Sequence, residues 1–179
     1  MKKDPNEEDL WWAELDLPTG HYEYQYVLPG GVVIADPLSR RISNDRTRIE
    51  IGPGGVTTAD NYIWESNEYI RPLMDTLVIY ELHIDDFSAM GNGQGRFGDI
   101  IEKLDHLKST GINAIELLPI YEFPGNHSWG YDPILISSLE SNYGTPSEFK
   151  KLVDEAHKRG IAIILDIIWN HIRPSSPLW

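Results

Sequence analysis

Two rhythms of apolar and polar residues divide the chain. From His21 to Leu28, Tyr22, Tyr24 and Tyr26 alternate with His21, Glu23 and Gln25. A period of two puts the tyrosines on one face of a half-buried strand. Pro29-Gly30-Gly31 interrupts the alternation and Val32-Val33-Ile34 resumes it, which predicts a hairpin. A short aromatic run, Asp9 to Leu17, precedes these strands. Thr47 to Ile51 follows as another, closed by Gly52-Pro53-Gly54-Gly55. Short strands between Gly/Pro turns predict a small all-β, sandwich-like module over residues 1–52. Residues 53–76 are polar and turn-rich, and read as a linker or wrapping segment.

After residue 76 the rhythm changes. Leu77 to Ile84 is apolar and β-prone. Ile100, Ile101, Leu104 and Leu107 recur at helical spacing within Asp99 to Ser109, and Gly111 follows as a stop. Ile112 to Leu118 is a second strand, ended by Pro119. Thr145-Pro146-Ser147-Glu148 is a capping box with proline at the first helical position. Phe149, Leu152, Val153 and Ala156 form that helix's apolar stripe, Gly160 ends it, and Ile161 to Ile168 is a third strand. Continuous apolar strands alternating with helices predict an α/β domain with a parallel sheet covered on both faces, residues 77–179.

Composition narrows the partners. The 179 residues carry 15 basic and 28 acidic side chains, a formal net charge of −13. That argues against nucleic acid, whose binding draws on Lys and Arg to neutralise phosphates, and against a polybasic membrane anchor. Charge does not separate the halves: residues 1–75 hold 7 basic and 14 acidic groups, residues 76–179 hold 8 and 14. With no cysteine there is no disulfide framework, Cys-ligated zinc or thiol nucleophile. The start, MKKDPNEEDL, lacks the apolar run of a secretory leader, and no stretch approaches 18 apolar residues; a cytoplasmic location is the expectation. Glu7 to Asp9 reads as a solvated terminus.

Two constellations carry chemistry. Gly93-Gln94-Gly95-Arg96-Phe97-Gly98 fits G-x-G-x-x-G, with Glu116 18 residues beyond it, and so offers a dinucleotide-binding oxidoreductase domain as one alternative. That fingerprint must follow its strand directly so that backbone N–H groups meet phosphate, whereas Asp85 to Asn92 intervenes here. A glycine-rich βα loop is the reading preferred. The second constellation lies at the strand ends, where parallel α/β folds bind ligands. Strand one ends in His83, Asp85 and Asp86, strand two leads to Glu122, and strand three ends in Trp169-Asn170-His171. The long loop Tyr121 to Asn142 brings Trp129-Gly130-Tyr131-Asp132-Pro133. Flat rings suit the C–H faces of sugars, and Asp, Asn and His suit their hydroxyls, so a neutral polyhydroxylated ligand fits. Each residue also has a plainer reading. Trp129 and Tyr131 would anchor the loop on the sheet. His171 would be a satisfied histidine past a strand, and His83 would face the interior from within strand one. Asp166 would be a paired hub, and His106 and His157 surface residues.

VIYELHIDDF (78–87), GRFGDIIEKLDHLKSTGINAIELLPI (95–120), EFPGNHSWGYDP (122–133) and YGTPSEFKKLVDEAHKRGIAIILDIIWNH (143–171) resemble, in order, the N-terminal part of glycoside hydrolase family 13, the α-amylase family. Asp166-Ile167-Ile168-Trp169-Asn170-His171 matches the family's first signature block. The β segment GHYEYQYVLPGG and its following ADP resemble the module placed before the barrel in branching enzymes, isoamylases and trehalohydrolases. The resemblance implies an incomplete (β/α)8 barrel: its first three βα units, preceded by the sandwich-like module. It implies a retaining enzyme acting on α-1,4 or α-1,6 bonds of starch- or glycogen-type glucans, of branching or amylase type. By that resemblance Tyr131 stacks under the sugar at the cleavage subsite, His171 binds its hydroxymethyl group and Asp166 organises the floor, with Trp129 and Asp132 beside them. Asn170 corresponds to a calcium-holding position of some amylases; no other cofactor is implied. The family's nucleophile, acid/base and stabilising carboxylate come from later strands, and none of Asp85, Asp86, Glu122, Asp132 or Asp166 matches their motifs. No catalytic residue is therefore assigned, and the chain is expected to be silent without the remainder of the barrel. A self-contained carbohydrate-binding module is the other alternative. An uncovered third strand predicts association.

Overall fold

The computed structural model describes residues 1–43, 45–56, 62–88 and 94–179. The first half is antiparallel. Strand β1 (Lys2–Lys3) pairs with β2 (Trp11–Trp12). The tyrosine alternation forms β3 (Gly20–Tyr24), and β4 (Tyr26–Val27) pairs across Gly30 and Gly31 with β5 (Val33–Ile34). Both glycines take positive φ, 88° and 83°, as the turn requires. The expected single strand is therefore split at Gln25, and its two parts pair with different partners. Strands β6 (Ile42–Ser43), β7 (Arg46–Gly52) and β8 (Gly55–Val56) complete one four-stranded sheet, in which β7 runs between β3 and β6. Among the described residues the first half thus consists of this sheet and two two-stranded ribbons.

The second half is β-α-β-α-β. Strand β9 (Ile79–Leu82) leads into a short helix α1 (Ile84–Ser88) and then α2 (Phe97–Ser109). Strand β10 (Ala114–Leu117) follows, then a hairpin of β11 (Tyr121–Glu122) and β12 (Leu135–Leu139). Helix α3 (Pro146–Lys158) and strand β13 (Ala162–Leu165) complete the order. Strands β9, β10 and β13 are parallel with β10 central, and Glu81 lies in register with Glu116. Such pairing needs long crossovers, which α2 and α3 supply. The strands are shorter than their apolar runs: β9 stops before His83, and β13 stops before Asp166.

Helix α3 begins as its capping box dictates. Thr145 Oγ1 accepts from Glu148 N at 3.2 Å, and Glu148 Oε2 accepts from Thr145 N at 2.6 Å. Phe97, Ile100, Leu104 and Leu107 of α2 pack with Leu152 and Ala156 of α3 and with Ile115 and Leu117 of β10 in the main core. A second cluster, Ala35 and Ile42 with Ile134 and Leu135, joins the β-rich half to the hairpin. There Ser137 Oγ and Ser138 Oγ both donate to Ser39 O at 2.8 Å. The wrapping segment is fixed to α3: the buried carboxylate of Asp154 accepts from Tyr62 Oη, Glu65 N and Ser66 N at 2.8–3.0 Å. His157, expected on the surface, is half-buried beneath Tyr69, with ring centroids 3.8 Å apart and planes 5° from parallel. His106 is exposed, as expected.

Candidate functional site

Three strand ends and one loop build the site. Asp166 follows β13, and its backbone N–H donates to Leu117 O at 3.0 Å, which carries the sheet pairing one residue further. Its side chain accepts a hydrogen bond from Tyr131 Oη. This bond joins the 121–142 loop to the end of the third strand, two segments 35 residues apart. The Tyr131 phenol is pushed up to about 12, first by the bond to Asp166, then by burial and by the charges of Asp166, Glu81 and Glu116. Tyr131 is therefore a neutral donor at neutral pH.

The turn around Tyr131 is braced at Ser128, Gly130 and Asp132. Ser128 Oγ donates to Asp132 Oδ1 at 2.5 Å and accepts from Gly130 N at 3.1 Å. Asp132 also meets Arg173 Nε at 3.1 Å. Gly130 takes φ +85°, and a Cβ there would lie 2.2 Å from Pro119 O. Trp129 projects outward with 62% exposure, so it does not anchor the loop on the sheet. Tyr131 is half-buried and tied down. His171 and Asn170 are exposed, and among the described residues no hydrogen bond or ring contact joins His171 to Tyr131 or Asp166. The structure thus joins Tyr131 to Asp166, ties the adjacent Asp132 to Ser128 and Arg173, and leaves Trp129, Asn170 and His171 at the surface.

Among the described residues no group of three or more His, Asp or Glu side chains is arranged to hold a metal ion. The glycine fingerprint falls partly outside the described residues, at Gly93. Its described part is occupied by the protein's own carboxylates. Asp85 Oδ1 accepts from Gly95 N at 2.6 Å, and Asp99 Oδ2 accepts from Arg96 N at 2.8 Å, where a phosphate would have to bind. Gly95 is required for packing, since a Cβ would lie 2.3 Å from Ile84 O. Among the described residues no helix is long and apolar enough to cross a membrane.

Sequence reasoning placed His83 within strand one and Asp85 in a polar loop. Both are buried, just past the strand and in α1, and both reach the 127–128 segment. It also passed over a buried acidic pair in the hairpin. Glu122 Oε2 accepts from Ser141 N at 2.9 Å and Glu140 Oε1 from Asn142 N at 2.9 Å. Burial, followed by the neighbouring Glu140 charge, pushes Glu122 up to about 8.

A parallel α/β sheet with an aromatic loop braced over its carboxyl ends is the architecture of barrel-type ligand-binding domains. The profile of the family described as "Alpha amylase, catalytic domain" matches residues 79–176, and the chain belongs to that family. A malto-oligosyltrehalose trehalohydrolase of Saccharolobus solfataricus is 38% identical over 156 residues, 84% of this chain and 25% of that one. A crystal structure from Salmonella typhimurium, provisionally assigned as an alpha amylase, superposes with a TM-score of 0.75 at 33% identity, covering 87% of this chain and 26% of its own. The catalytic module of the glycogen-degrading pneumococcal virulence factor SpuA matches at a TM-score of 0.63 and 28% identity, covering 86% and 28%. The chain spans about a quarter of the length of these relatives.

Proposed function

We propose that this chain supplies the first three βα units of a (β/α)8 glycoside hydrolase acting on α-glucans, and that Tyr131 is its sugar platform. The observation that carries the reading is the Tyr131–Asp166 hydrogen bond, which sets an aromatic ring at the carboxyl ends of the parallel strands. The half-buried phenol stays neutral, the carboxylate of Asp166 holds the phenol end of the ring in place, and the exposed Trp129 adds a second flat face. Three strands are fewer than the eight that close such a barrel. Retaining glycosidases need two carboxyl groups ~5–5.5 Å apart across the scissile bond. In this reading those groups, and the stabilising aspartate, belong to later strands, while the residues here orient the sugar.

The Saccharolobus relative, matched through part of the β-rich half as well as the sheet, favours a malto-oligosyl chain as the substrate class. The test is a hybrid in which residues 1–179 replace the matching segment of that relative. The hybrid is expected to turn over malto-oligosyl substrates, and Tyr131→Ala within it to lower kcat/KM roughly 100-fold. A folded hybrid whose activity is indifferent to Tyr131→Ala would contradict the assignment.

A further inference from the structure

The segment carrying Trp129 and Tyr131 has no secondary structure between β11 and β12, so its path must be set from outside. The tip of β9 does this. His83, 7% exposed, places Nε2 2.9 Å from Ser128 O and 3.0 Å from Tyr143 Oη. A carbonyl oxygen only accepts, so Nε2 carries a proton and donates to Ser128 O. Nδ1 faces Asp86, 3.4 Å from its backbone N and 3.1 Å from its Oδ2. Beside this ring, Asp85, 5% exposed, meets His127 Nδ1 at 3.2 Å, and the two imidazoles stand perpendicular with centroids 5.4 Å apart.

From the His83 ring one bond reaches Ser128. The Ser128 hydroxyl then reaches Gly130 and Asp132, the residues on either side of Tyr131. Burying an imidazole is costly unless its nitrogens are paired. The buried surroundings, Tyr143 packed on Phe97 and Phe123, would accept an apolar side chain as readily. Packing alone therefore does not call for histidine at this position; the Ser128 carbonyl does.

We propose that His83 is a positioning residue. Seated by Tyr143 and Asp86, it holds the Ser128 carbonyl and so fixes the orientation in which Tyr131 meets Asp166. The consequence for a ligand rests on the reading of Tyr131 as a sugar platform; the positioning itself does not.

Two readouts separate these. The first is amide hydrogen exchange, followed residue by residue, in the 179-residue chain and its variants. His83→Phe keeps the bulk and removes both nitrogens. It is expected to speed exchange at Gly130 about tenfold, the factor set by one lost hydrogen bond, while the amides of β10 and α2 keep their protection. His83→Gln carries an N–H donor at nearly the reach of the imidazole Nε2 and is expected to restore slow exchange. Unchanged Gly130 exchange in His83→Phe, or exchange as fast in His83→Gln, would overturn the proposal. Should His83→Phe also lose the protection of β10, His83→Gln against His83→Asn decides. The shorter amide does not reach Ser128, so Asn is expected to loosen the turn about tenfold relative to Gln, and equal exchange in the two overturns the assignment. The second readout is titration with a malto-oligosaccharide, where His83→Phe is expected to weaken binding about tenfold. A parent chain that binds no malto-oligosaccharide refutes the platform reading, and the exchange result still decides the role of His83.

Discussion

At Gly130 the backbone and the neighbouring Pro119 leave no room for a side chain. Gly130→Ala must either abandon φ +85° or push the Pro119 carbonyl, 2.2 Å from the new Cβ. The expected cost is about 1–3 kcal/mol, read as a fall of several degrees in a thermal melt. Gly98, where nothing lies within 4 Å of an added Cβ, is the control: Gly98→Ala in α2 is expected to be neutral or slightly stabilising. Individual site residues were legible in the sequence to different degrees. Tyr131 and Asp166 were singled out by the resemblance of their segments to a known family; from the residues alone Tyr131 read as a loop anchor and Asp166 as a paired hub within the third apolar run. His83 and Asp85 could be placed near the strand ends, but not paired with Ser128 and His127. Those partners lie 45 and 42 positions away in a loop whose path no local pattern encodes. Trp129 shows the reverse: its aromaticity suggested an anchor, and only the fold shows that it faces outward.

Among the elements, the hairpin and the wrapping segment carry most of the unexpected electrostatics. Glu122 sits at about 8 in the fold against an ordinary 4.5. Between those values the folded state holds a proton that the unfolded state lacks, so this group's contribution is fully present below pH 4.5 and is lost as pH rises through 8. Melting temperature is therefore expected to fall between pH 5 and pH 8 more steeply in the parent chain than in Glu122→Gln; parallel slopes would contradict it. Asp154 behaves in the opposite sense. Burial alone would raise it, but donation from Ser66, Glu65 and Tyr62 outweighs that and holds it at about 2. Its contribution is present at neutral pH and lost as pH falls from its ordinary 3.8 through about 2. Asp154→Ala strips the acceptor from two backbone N–H groups, and is expected to cost about 3 kcal/mol and to open residues 62–70 to limited proteolysis. Helices α2 and α3 were legible because each repeats its period over several turns, and the three parallel strands because each lies within a continuous apolar run. The hairpin was not. Strand β11 has two residues and its register shifts between them, so it displays no period. The link from residues 62–66 to α3 runs through Asp154 and the Lys158–Glu65 ion pair, side chains that the helical period alone assigns to a solvent face.

At the scale of the whole molecule, the parallel sheet ends in two open edges. Ile79 and Tyr80 on β9 and Leu165 on β13 are exposed, as is Ile167 beyond it. Uncovered apolar edge strands template further pairing. The 179-residue chain is expected to self-associate in sedimentation velocity experiments, and Leu165→Lys to raise its monomer fraction. A monodisperse, highly stable monomer would contradict three strands left open on both sides. The parallel architecture followed from alternating apolar strands and helices. The split of the β-rich half into a sheet and ribbons did not, because strands of two residues carry too little pattern.

Tyr131 is proposed to be the platform for an α-glucan. Calorimetric titration of the chain and of its Tyr131→Ala variant with a malto-oligosaccharide tests this most directly. Saturable heat in the parent and none in the variant is the result predicted. Equal heats in both, or none in the parent, would contradict it.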